Sequence, residues 1–130
     1  MAESAIIGLA HINIKVRNIE TSIGFYRDLL GFTLTERCAL DDGTLMAFLH
    51  AGDCRLELAQ PVQSAAYTSG MVDHIGIRVK GIDALVDRLK DKISFNSPVN
   101  AAPDLLGGIK FVFFNGPDQE SIEFFEYLNR

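Results

Sequence analysis

The chain has 130 residues, 48% hydrophobic and 22% charged, with a formal net charge of -5 and a pI near 5.1. That size suits one domain with its own core, and an acidic balance without a Lys/Arg cluster argues against nucleic acid or an anionic membrane as partner. No window reaches the 18 or so apolar residues of a membrane span, and Met1-Ala2-Glu3-Ser4 opens no basic, apolar leader, so a cytoplasmic protein is expected.

Residues 9–17 alternate, with His11, Asn13, Lys15 and Arg17 on one face and Ile12, Ile14 and Val16 on the other, the period of a half-buried strand. From Ile19 the period lengthens. Ile19, Ile23, Tyr26 and Leu30 predict a helix that Asn18 can cap and Gly31 ends. Residues 32–39 predict a second strand, Asp41-Asp42-Gly43 a turn, and residues 44–51 and 54–60 a hairpin joined by Gly52-Asp53. Cys38 and Cys54, with no C-x-x-C spacing, read as buried, reduced thiols, and His50 reads as a hairpin residue.

After a polar connector at about 61–70 the plan repeats. Residues 72–79 predict a strand, and Ile82, Leu85, Val86 and Leu89 form a helical stripe. Pro98, Pro103, Gly107 and Gly108 limit residues 94–108 to a short edge strand. Residues 109–115 and 121–127 close the chain as a hairpin around Gly116-Pro117-Asp118.

The repeat is visible residue by residue. His11-Ile12-Asn13-Ile14-Lys15-Val16 and His74-Ile75-Gly76-Ile77-Arg78-Val79 lie 63 positions apart, and each copy ends in a strand with a single glutamate, Leu56-Glu57-Leu58 and Ile122-Glu123-Phe124. The expected class is α+β: two tandem βαβββ modules, about 8–60 and 71–128 within one domain spanning 1–130, forming curved mixed sheets around a central cavity. Alternation turns His11, Glu57, His74 and Glu123 away from the helices, and pseudo-two-fold packing would bring them to one point. Two imidazoles and two carboxylates crowd unfavourably unless a cation joins them, so one divalent ion per site is expected, as Zn, Ni, Co, Mn or Fe. An octahedral ion with four protein ligands keeps two positions, which suit a bidentate hydroxy-carbonyl or an enediolate. A glutamate able to leave the metal can then carry a proton between neighbouring carbons.

These motifs, together with Phe25-Tyr26-Arg27-Asp28-Leu29-Leu30-Gly31-Phe32 at the first helix end, resemble the vicinal oxygen chelate superfamily over about residues 8–128. Its members include glyoxalase I, methylmalonyl-CoA epimerase, extradiol dioxygenases, fosfomycin resistance proteins and bleomycin-binding proteins. The resemblance implies an open barrel of two four-stranded sheets. It also implies the glyoxalase I ligand order His, Glu, His, Glu at His11, Glu57, His74 and Glu123, with Glu123 as the base and Glu57 as the second candidate. Epimerases usually carry glutamine as the second ligand, dioxygenases use three protein ligands, and non-catalytic binders tend to lose them. The likeness stops at Lys15 and Pro61, where bacterial glyoxalase I proteins place an Arg and an Asn that help hold glutathione. The implied function is a metal-dependent lyase or isomerase of the glyoxalase type acting on a small oxygenated substrate. An epimerase, a ring-cleaving dioxygenase and a binding or resistance protein are the alternatives, and a homodimer is the expected assembly.

Overall fold

In the computed structural model, which describes residues 10–63, 72 and 74–129, the two-residue period around Ile12 becomes strand β1 (Ile12–Lys15), with Ile12 and Ile14 half-buried and Asn13 and Lys15 exposed. Helix α1 (Ile19–Ile23) follows, and Asn18 caps it by accepting a 3.1 Å hydrogen bond from the Thr21 N–H. The helix then widens into a π-helix (Gly24–Leu29), where the Leu30 N–H donates to the Phe25 carbonyl five residues back. Gly31 stops it at φ 84, a left-handed backbone that favours glycine.

Strands β2 (Thr33–Ala39), β3 (Leu45–Ala51) and β4 (Cys54–Gln60) complete the first unit. They form a mixed sheet of order β1-β4-β3-β2, parallel only between β1 and β4. Helix α1 contacts β3 and β4. Ile19, Ile23 and Tyr26 from the helical segment and Ala47, Leu49, Leu56 and Leu58 from the sheet are buried as the core.

The second unit runs β5 (Ile75–Arg78), α2 (Ile82–Leu89), β6 (Asn100–Ala102), β7 (Ile109–Asn115) and β8 (Ser121–Tyr127), in sheet order β5-β8-β7-β6. Its core holds Ile82, Leu89, Val112, Phe114, Ile122 and Phe124. Phe114 is fully covered, its ring centroid 4.6 Å from that of Phe124 and 5.4 Å from that of Phe95. The α+β reading as two βαβββ modules holds, and the chain divides into two compact units, Met1–Ala66 and Tyr67–Arg130. The N-terminal tetrapeptide and most of the connector at 61–70 lie outside the described residues.

Two expectations need correction. Cys38 and Cys54 are exposed thiols, not buried ones. Cys38 lies on β2, an edge strand on which every residue except Leu34 is exposed, and Cys54 is the first residue after the β3–β4 turn. The first strands are also shorter than their alternation, since the ladders begin at Ile12 opposite Leu56 and at Ile75 opposite Ile122. His11 and His74 therefore stand just before a strand instead of within it.

Each helix start is tied back to its own sheet by the same position of the repeat. In the first unit the Gln60 Oε1 accepts a 2.7 Å bond from the Ile19 N–H. In the second, Glu126 accepts from the Ile82 N–H at 3.0 Å and the Gly81 N–H at 2.7 Å, because the capping residue is Gly81 and offers no side chain. Those donors hold the Glu126 carboxyl below its ordinary range. A depressed folded value means the contribution is complete above the unfolded pKa, about 4.3, and is lost as the pH falls through the lower folded value. Glu126→Ala should destabilise the protein by about 1 kcal/mol at neutral pH, kept modest by solvent screening. Glu126→Gln, copying Gln60, should flatten the acid side of the stability profile. Urea denaturation at pH 7 and pH 4 measures both, and an unchanged Glu126→Ala midpoint at pH 7 would sink the capping role.

Candidate metal and proton-transfer site

Strand direction places the glutamates. Leu56 and Leu58 are buried in the core, so Glu57 lies on the far face of its sheet, turned from α1. Ile122 and Phe124 do the same for Glu123. Each histidine meets the glutamate of its own unit across the parallel strand pair. His11 Nδ1 lies 3.2 Å from Glu57 Oε2, and His74 Nε2 lies 3.4 Å from Glu123 Oε1. The imidazoles are the more exposed partners, at 44% and 34%, against 15% and 12% for the carboxylates.

The two pairs differ in their surroundings. Across β1, Glu57 faces Asn13, whose Nδ2 donates to Glu57 Oε1 at 3.4 Å. The matching position opposite Glu123 is Gly76, where an added Cβ would come within 3.5 Å of Glu123 Oε1. Glu57 thus has two side-chain partners, while Glu123 has clearance on its β5 side. Burial pushes the Glu123 carboxyl above its usual range, against the opposing pull of His74.

On the other flank each glutamate is paired with a phenylalanine of the antiparallel neighbour, Phe48 opposite Glu57 and Phe113 opposite Glu123. The Phe113 ring stands edge-on to His74, with centroids 5.0 Å apart. Neither phenylalanine stands out in the sequence, and only the hairpin register identifies them. His50 lies on β3 opposite Arg55, within the β3–β4 hairpin as expected.

The structure therefore pairs the four sequence-derived residues two by two, one His–Glu pair within each unit. Among the described residues neither unit holds a cluster of three or more metal-ligating side chains. Nitrogen and oxygen donors without sulfur suit a borderline or hard divalent ion, and a buried carboxyl whose charged form is disfavoured is one that a cation would relieve. On donor chemistry the residues fit a divalent metal.

Comparison with known proteins gives the family. The family described as "Glyoxalase/Bleomycin resistance protein/Dioxygenase superfamily" matches residues 8–124. The uncharacterized protein YwbC of Bacillus subtilis is 32% identical over 120 residues, covering 89% of this chain and 94% of that protein. A lactoylglutathione lyase of Neisseria meningitidis is 30% identical over 124 residues, 91% of this chain and 89% of that enzyme. The mitochondrial methylmalonyl-CoA epimerase of Mus musculus is 31% identical over 93 residues, 65% of this chain, which spans about half (52%) of that protein. Among solved structures, a glyoxalase family protein from Enterococcus faecalis superposes with a TM-score of 0.77 at 24% identity, covering 92% of this chain and 98% of that one. That last likeness concerns the fold.

Proposed function

Because the chain belongs to the glyoxalase/bleomycin resistance protein/dioxygenase superfamily, we propose that it is a metal-dependent lyase or isomerase that moves a proton next to a carbonyl. In this reading His11, Glu57, His74 and Glu123 hold one divalent ion and Glu123 carries the proton. The observation that supports it most is the repetition of one His–Glu pair, at 3.2 and 3.4 Å, at equivalent places in both sheets. A single such pair is common in proteins, and two at matching positions of a duplication are not an ordinary surface accident.

The bound ion would act as a Lewis acid, polarising the substrate carbonyl. The remaining work belongs to the chain. His74 packs perpendicular to the Phe113 ring, and Phe113 is the cross-strand neighbour of Glu123. Glu57, partnered by Asn13 and His11, serves as the stationary ligand. Glu123, with Gly76 opposite it, has the space to shift and a carboxyl that burial makes more basic.

Native mass spectrometry of the full chain after addition of Zn or Ni should count about one ion per site. His11→Ala and His74→Ala should each weaken uptake by about 100-fold or more, beyond the effect of losing an outer contact to a ligand. Uptake indifferent to both substitutions overturns the ligand set. The same spectra count chains, where a homodimer is the proposed assembly. The proposed setting is the cytoplasm with a small-molecule substrate, and no helix among the described residues is long and apolar enough to cross a membrane.

A second reading, an acyl-CoA epimerase, draws on the similarity to the mouse protein and uses the same proton movement. Turnover of a 2-oxoaldehyde–glutathione adduct against epimerisation of an acyl-CoA separates the two. A protein that takes up no metal and shows neither activity would favour a binding or resistance protein, and a visible band on adding a catechol to the Fe(II) form would favour ring cleavage.

A further inference from the structure

The duplication is uneven on the far faces of the two sheets. Where the first sheet sets Ala59 between Lys15 and Met46, the second sets Phe125 between Arg78 and Phe111. Aromatic side chains thus line the second face from its histidine onward. Phe113 touches His74, Phe111 follows it with centroids 6.2 Å apart, and Phe125 packs on Tyr127 at 5.0 Å.

This track ends at a cation. The Arg78 guanidinium carbon lies 5.1 Å from the centre of the Tyr127 ring. The two residues border a cleft of about 490 Å³ shared with Val79, Lys80, Glu126 and Leu128. Among the described residues no carboxylate pairs with Arg78 or Lys80. Glu126, the acid in the cleft, is already engaged by the helix-start donors of Gly81 and Ile82. A guanidinium whose carbon sits over a ring, with no carboxylate paired to it, still has N–H donors to offer an oxyanion.

The geometry points to Arg78, its guanidinium over the Tyr127 ring and seconded by Lys80, as the anchor for a terminal carboxylate or phosphate of the substrate, whose apolar body lies along Phe113, Phe111 and Phe125. Tyr127 lies four steps along the strand from Glu123, about 13 Å at about 3.3 Å each, and Arg78 is paired opposite Phe125 two steps along, so the anionic group sits within roughly that distance of the carbonyl. The assignment rests on the proposed proton-transfer reading and adds the substrate class: a carbonyl compound with an apolar middle and an anionic end.

Calorimetric titration of the full chain, with and without added zinc, tests it using 3-phenylpropionate, 2-phenylethyl phosphate and the neutral 3-phenyl-1-propanol. Wild type should bind the two anions about tenfold more tightly than the alcohol in both conditions. Arg78→Ala should erase that preference, Arg78→Lys should keep part of it, and Tyr127→Leu should weaken all three ligands. The tighter of the two anions names the head group. A preference that appears only with zinc and survives Arg78→Ala places the anion on the metal and overturns the anchor. The zinc count of Arg78→Ala is read separately: if it equals that of wild type while the anion preference persists, the anchor fails and the metal reading stands.

Discussion

Glu123→Gln should leave the fold in place and lower turnover by about 10²- to 10⁴-fold, the usual share of a positioned general base. Glutamine keeps the size of the side chain and an oxygen that can face His74, now 3.4 Å away, but cannot accept and return a proton. Its stability should change little, because removing a carboxylate that burial already disfavours is not a loss of charge pairing alone. The measurement is solvent deuterium exchange into the substrate at the carbon next to the carbonyl, alongside kcat and KM. A fall in kcat with KM nearly constant fits a group acting in the chemical step. Gly76→Asn is the companion test. It copies into the second sheet the residue that partners Glu57 in the first, and should slow exchange by restraining Glu123. If Glu123→Gln turns over like wild type, the base lies elsewhere, and Glu57→Gln is the next variant to measure.

Phe114→Ala should destabilise the protein by about 3–5 kcal/mol, a large part of the stability of a domain this size. Phe114 is fully covered and packs against Phe95 and Phe124, so truncation opens a cavity whose walls belong to a strand and a bridging segment held by hydrogen bonds. The neighbouring Phe113→Ala is the control. One residue along the same strand, it lies on the opposite face and is only half-buried, so it should lose much less, while disturbing His74. Guanidinium denaturation of both variants gives the comparison. Equal losses would mean that the two faces of β7 do not divide core from site as described.

Most of this division was readable in the chain. The isoleucine–polar alternation read over 9–17 and 72–79 located the first strands, of which the ladders keep Ile12–Lys15 and Ile75–Arg78, the hairpin bounds at Cys54–Gln60, Ile109–Asn115 and Ser121–Tyr127 match, and Asn18 caps where its side chain predicts. The π-helix was not readable, because Ile19, Ile23 and Tyr26 satisfy an ordinary helical period while the extra residue per turn appears only in backbone hydrogen bonds. The thiols were misread because burial statistics for cysteine carry no information about edge strands, and β2 is one. Glu126 as the helix cap was hidden by distance, since it reaches Gly81 from 45 residues along the chain. At the candidate site, period two gave the faces of Glu57 and Glu123, and the His–Glu pairing within each unit comes from the structure. Asn13 against Gly76, and Phe48 and Phe113, came only from register.

That register has a consequence for how such a protein can change. Leu56-Glu57-Leu58 and Ile122-Glu123-Phe124 put a carboxylate and its apolar scaffold on alternate residues of one strand. A slip by a single residue would drive the glutamates into the hydrophobic interior and leave their apolar neighbours facing outward, so misalignment is eliminated along with foldability itself. Exchanging the side chain at 57 or 123, by contrast, leaves the interior untouched. The two positions are locked while the side chains they carry can be rewritten, a latitude open to any lineage built on this pleat.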